Sequence, residues 1–114
     1  MSSLGDENMA SGKEYLEFIL NRLSLLDAIT YRPMMGEYII YYRGKIVGGI
    51  YDGRFLVKQT PASKSFLPNA PLKVPYKGAK SMLLVENTDD SAFLKELITA
   101  MEKDLPLPKK RGQP

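Results

Sequence analysis

The sequence predicts an α+β fold in which helices cover an antiparallel sheet. Two amphipathic stripes at helical spacing stand near the two ends of the chain. Between them lie three short runs rich in β-branched and aromatic residues, 37–43, 45–51 and 54–60, separated by gaps of turn length. Such gaps suit a meander and are too short for parallel crossovers. The predicted order is helix, three-stranded meander, short helix, one or two strands, helix.

The first helix is predicted over about 11–25. Ser11 and Glu14 have capping-box spacing. Tyr15, Phe18, Ile19, Leu23 and Leu26 then recur on one face, widened by Leu16 and Leu20. Residues 27–30 read as a connection. The first strand, EYIIYYR, places Tyr38, Ile40 and Tyr42 on one face and Ile39 and Tyr41 on the other. Both faces are partly apolar, which predicts a sheet covered by helices on one side and partly open on the other. Gly44 centres the next turn, and Asp52-Gly53 is a strong hairpin signal because a type I′ turn needs positive φ.

Pro61 opens a short helical turn that ends by Pro68, since proline at a first helical position sacrifices no bonded N–H. Residues 70–80 carry Pro and Gly punctuation and read as a loop or an irregular edge strand. The run 81–87 reads as a buried strand. Thr88, Asp89 and Asp90 supply capping oxygens and negative charge for a last helix over about 89–104. Its apolar stripe is Phe93, Leu94, Leu97, Ile98, Met101 and Leu105. The organisation is therefore a leader over 1–10, one domain over 11–105, and a Pro-rich basic tail over 106–114. Met9 is an alternative start, with the residues before it a non-native extension.

The composition removes several chemistries. The chain of 114 residues contains no Cys and no His. Thiol catalysis, disulfides, Cys/His zinc sites and Ser-His-Asp triads are excluded. No apolar run approaches the ~20 residues that span a bilayer, and the polar, acidic start lacks a signal-peptide pattern. The cytoplasm is the expected compartment, with no membrane partner. The net charge is +3, but Lys109, Lys110 and Arg111 sit together in the tail, and the rest of the chain carries 13 charges of each sign. The basic balance belongs to the tail and not to the domain.

Gly36, Gly44, Gly48, Gly49 and Gly53 match neither the dinucleotide fingerprint nor the P-loop. None leads from a strand into a helix N-terminus, where phosphate would find its donors. Gly48-Gly49, mid-strand, predicts a bulge or a close approach by a packed helix or another backbone. Met34 and Met35 offer an adaptable surface, with one of the two expected to plug the core. Arg32 is placed to clamp a carboxylate or phosphate, or to pair with Glu37 or a helix C-terminus. Glu37 and Asp52, at neighbouring strand ends, are too generically placed to argue acid–base work. No catalytic, cofactor or metal residues are therefore expected, and the chain reads as a non-enzyme.

The stretch TYRPMMGEYIIYYRGKIVGGIYDGRFLVK resembles the N-terminal domain of the TfoX/Sxy competence regulators. The resemblance is carried by Arg32, Met34, Met35 and Gly36, then Tyr41 and Gly44, then Asp52, Gly53, Leu56 and Lys58, with Pro75-Tyr76 and the last helix downstream. It implies a three-helix, five-stranded domain in the order αβββαββα and a regulatory role. Full-length members of that family help switch on genes for DNA uptake with a cyclic-AMP-responsive activator. Their C-terminal helical domain has no counterpart in this sequence, so the resemblance implies a stand-alone regulatory or interaction module.

Two functions are thus in view. The preferred one is a protein-interaction module that meets a protein partner or a second copy through Arg32, Met34, Met35, Gly36, Tyr41 and Lys58. The alternative is a nucleic-acid accessory protein that uses Tyr42, Arg43, Lys45 and Arg54 on the sheet, with Lys109, Lys110 and Arg111 in the tail. Glu37, Asp52, the neutral body and the missing RNA-recognition signature weigh against the alternative. A small-molecule enzyme is a third reading, which would require a concave pocket with converging polar groups near Arg32 and Lys58.

Overall fold

The computed structural model describes residues 12–106. The leader, Ser11 and the tail with Lys109, Lys110 and Arg111 lie outside the described residues. The described elements are α1 (Lys13–Arg22), β1 (Ile29–Met34), β2 (Glu37–Tyr42), β3 (Lys45–Tyr51), β4 (Arg54–Val57), α2 (Pro61–Phe66), β5 (Leu72–Lys73), β6 (Met82–Leu84) and α3 (Ser91–Glu102). The strands form one antiparallel sheet in the order β1-β2-β3-β4-β6-β5. The fold class is α+β, as predicted, with six strands in place of about five.

The added strand is β1, whose first two residues the sequence reading gave to a connection. Pro33 lies inside it and conceals it, because proline removes a ladder donor. The register explains why the strand tolerates it. A two-residue turn makes Met34 and Glu37 the closing hydrogen-bonded pair, so Pro33 and Tyr38 fall on the following non-hydrogen-bonded pair. The nitrogen of Pro33 therefore faces away from β2, and no ladder bond is lost.

Three tight turns link the four meander strands. Met35-Gly36 (φ 52°, 84°), Arg43-Gly44 (53°, 81°) and Asp52-Gly53 (56°, 71°) each place both central residues at positive φ, as a type I′ turn requires. That turn's twist matches the twist of the strands it joins, which keeps the meander in register. A bulge interrupts the β2–β3 ladder: Ile40 opposes Gly48 and Tyr41 opposes Ile46, leaving Val47 as the extra residue. A Cβ on Gly48 would lie 2.7 Å from the Val57 Cα and closer still to the Leu56 carbonyl oxygen. On Gly49 it would lie 2.5 Å from the Tyr38 carbonyl oxygen. The mid-strand glycines thus serve both expected purposes, a bulge and a close approach of backbones.

All three helices contribute to the core on one sheet face. Leu16, Ile19 and Leu23 from the α1 region, with Leu94, Leu97, Ile98 and Met101 from α3, bury against Ile40, Val47, Ile50, Phe55 and Val57. Helix α1 is shorter than predicted. It starts after Gly12, which makes no side-chain cap, and it ends at Arg22, with Leu23 as its C-cap. Helix α2 is held by a reciprocal Thr60–Ser63 box that the sequence reading missed: the Ser63 N–H donates to Thr60 Oγ1 (2.9 Å) and the Thr60 N–H to Ser63 Oγ (2.8 Å). At α3, Asp90 Oδ1 accepts from the Phe93 N–H at 3.0 Å, so the last helix begins at Ser91 and not at 89.

Candidate functional site

Directly opposed residues of antiparallel strands share a face, so the register sorts the second side of the sheet. Arg32 opposes Ile39, Met34 opposes Glu37 and Tyr41 opposes Ile46. Tyr51 opposes Arg54, and Leu56 opposes both Gly49 and Leu84. This face carries no helix. Its middle is a small apolar cluster in which Tyr51, Leu56 and Met82 are buried, with Met34 and Leu84 packed against them.

The 74–81 segment folds over one part of this face and borders a half-open pocket of about 420 Å³. Met34, Ile39, Ile46, Tyr51 and Met82 supply apolar surface, and Tyr76 supplies an outer wall. The Tyr51 and Tyr76 rings lie 6.1 Å apart at 53°, a tilted aromatic contact. The Gln59 side-chain amide donates to the Ser81 carbonyl (3.0 Å) and hydroxyl (3.1 Å), which anchors the segment beside the end of β4. Lys58 and Lys80 line the same pocket, and no Asp or Glu does. Burial raises the Tyr51 phenol above its ordinary pKa, and Tyr76, Glu37 and Tyr41 push it the same way. It is therefore protonated at neutral pH and is poorly suited to act as a base there.

The β1–β2 turn projects beside this face. Met35 is 95% exposed and has left-handed backbone, φ 52°. Asn, Asp and Gly are the residues that such turn positions favour. Glu37, immediately after the turn, accepts from the Asp52 N–H through both carboxylate oxygens at 3.2 and 3.3 Å. It thereby ties the β1–β2 turn to the β3–β4 turn. Asp52 in turn pairs with Arg54 at 3.3 Å. These two carboxylates hold the sheet's end together. Among the described residues no group of three or more His, Cys, Asp or Glu is placed to hold a metal ion.

Of the expected interaction residues, Arg32, Met34, Tyr41 and Lys58 share the helix-free face, and Met35 and Gly36 form the adjoining turn. Met34 plugs the second cluster and not the main core. Arg32 is exposed and forms no ion pair among the described residues. It lies beside the pocket but does not line it, so the pocket brings in Lys58 without Arg32.

The described residues among those proposed for nucleic acid, Tyr42, Arg43, Lys45 and Arg54, do not form one surface. Tyr42 is 7% exposed and belongs to the helix-side core, where no base could stack on it. Lys45 binds Glu102 at 3.0 Å. Arg43 sits in a turn, 6.0 Å over the Tyr42 ring. Arg54 lies on the opposite face, paired with Asp52. The physical reason is the pleat: Tyr42 and Tyr41 are neighbours in sequence but face opposite sides. Ile39, Ile46, Tyr76, Lys80 and Met82 were missed as site residues. For Ile39, Ile46 and Met82 the signal is the second apolar alternation on the strands, visible once the strands are paired; Tyr76 and Lys80, outside any strand, carry no such signal.

The matching family model is the TfoX N-terminal domain, over residues 21–96. The chain belongs to the TfoX N-terminal domain family. The matched region runs from the end of α1 into α3, so it contains the whole sheet and the helix-free face. The chain is also similar to an uncharacterized 12.7 kDa protein in the trpE 5′ region of Spirochaeta aurantia, at 30% identity over 104 residues covering 90% of each chain. No solved structure matches. No helix among the described residues is long and apolar enough to cross a membrane.

Proposed function

We propose that this TfoX N-terminal domain is a non-enzymatic regulatory or protein-interaction module whose contact surface is the β1–β2 turn and the helix-free sheet beside it. Met35 carries this reading. A left-handed backbone costs a non-Gly residue about 1–2 kcal/mol, and Met35, at 95% exposure, recovers almost no packing from its own fold. An exposed methionine supplies a flexible apolar anchor for a protein surface. Arg32 adds a cation on the same side of the sheet, well suited to an acidic group of the partner. The β1 edge is a weaker site, because Pro33 gives it no outward N–H at that position.

The test is Met35→Asn, which suits the turn but removes the anchor. The melting temperature is expected to hold or rise by about 2–5 °C. Association, read by sedimentation for the homodimer and by pull-down for other proteins, is expected to weaken. An M35N variant that associates as the parent does contradicts the reading.

A further inference from the structure

The groove on the helix-free face has the makings of a small-molecule site. Its volume of about 420 Å³ falls in the ~300–1,000 Å³ range of ligand pockets. Its floor is apolar, through Ile39, Ile46 and Met82, and Tyr51 and Tyr76 offer ring surface. Its charge is one-sided: Lys58 and Lys80 line it, no carboxylate does, and neither lysine forms an ion pair among the described residues. The Gln59 amide is already committed to Ser81, so the two lysines are the cationic groups left to meet a ligand.

We propose that this groove binds a small amphiphilic anion, a carboxylate carrying an aromatic or branched apolar body. The apolar body lies on Ile39, Ile46 and Met82 against Tyr51 and Tyr76. The carboxylate sits at the lysine end, toward Lys58 and Lys80. The charge pattern selects against the chain's own tail, whose Lys109, Lys110 and Arg111 would be repelled. The proposal does not rest on the partner reading, whose anchor, Met35, stands on the turn and does not line the groove.

The probes are phenylbutyrate, phenylbutanol and phenylbutylamine, titrated into the full chain and followed by amide and methyl NMR shifts. Phenylbutyrate is expected to bind about tenfold more tightly than the alcohol, a preference of the size that two partly exposed ion pairs supply, and the amine more weakly still. The shifts should map to Met34, Ile39, Tyr51 and Met82, and the preference should narrow as salt rises. In a K58Q/K80Q variant the acid and the alcohol should bind equally while the alcohol's affinity is kept. That retained affinity shows that the groove is intact, and K80Q alone, on the loop, should lose part of the preference. Equal affinity for acid and alcohol in the parent chain overturns the proposal. So do shifts confined to the helix side, or no shifts at millimolar probe.

Discussion

At the scale of single residues, the mid-sheet glycines are held by their surroundings and the turn glycines by their backbone. Gly48 has an ordinary backbone, but a methyl group there would collide with the main chain of β4 at Leu56 and Val57. Gly44 is the reverse case: φ is 81°, and nothing lies within 4 Å of the added carbon. Gly44→Ala is therefore expected to cost about 1–2 kcal/mol through backbone strain alone. Gly48→Ala is expected to cost about 3 kcal/mol, the upper end of overpacking, because main chain must move. Denaturant melts of the two variants check the order, and a G48A variant as stable as G44A contradicts it. The mid-strand pair was legible because glycine has few reasons to stand inside a strand. Met35 and Arg43 in left-handed turns were not, since neither residue type announces positive φ, whereas Asp52-Gly53 does. The turn that exposes Met35 had to be seen in register.

At the scale of elements, β3 and α3 are joined outside the apolar core by the polar pair Lys45 and Glu102. The Lys45 ammonium donates to the Glu102 carboxylate (3.0 Å) and also to the Glu102 carbonyl oxygen (3.1 Å), in the last turn of α3. A cation there also favours the negative end of the helix dipole. The hydrogen bond from Lys45 is the largest influence holding the Glu102 carboxyl below its ordinary range, with the charges of Lys45 and Arg43 adding to it against partial burial. A depressed folded pKa gives stability that is present above the unfolded carboxyl pKa and is lost as pH falls through the folded value. The melting-temperature gap between the parent and Glu102→Gln should thus be open at neutral pH and close in acid. Thermal melts from pH 7 down to pH 3 read it, and a gap independent of pH contradicts the contact's role. Helix α3 was legible because its stripe and Asp90 cap agree. Strand β1 was not, because Pro33 and three successive exposed residues, Thr30 to Arg32, disguise an edge strand. The Thr60–Ser63 box escaped notice because its last residue is Ser, where the usual pattern has Glu or Gln.

At the scale of the whole molecule, a six-stranded sheet has helices packed against one face only. The other face keeps a small apolar cluster, a groove under the 74–81 segment, and an exposed methionine at its border. The two-faced character was legible in EYIIYYR, whose alternate residues are apolar on both sides. Which residues meet across that second face depends on pairing β4 with β6, far apart in sequence, and no local pattern encodes that pairing. The family match places the domain among TfoX N-terminal domains, and the asymmetry of the sheet locates the contact surface proposed for it. Site-specific photo-crosslinking in living cells tests that surface most directly, with the reactive side chain placed at Met35 on the turn or at Glu96 on the exposed side of α3. The account predicts a discrete protein adduct from position 35, at the mass of a second copy or of one partner, that is absent from position 96. Adducts from position 96 with none from position 35 would contradict it.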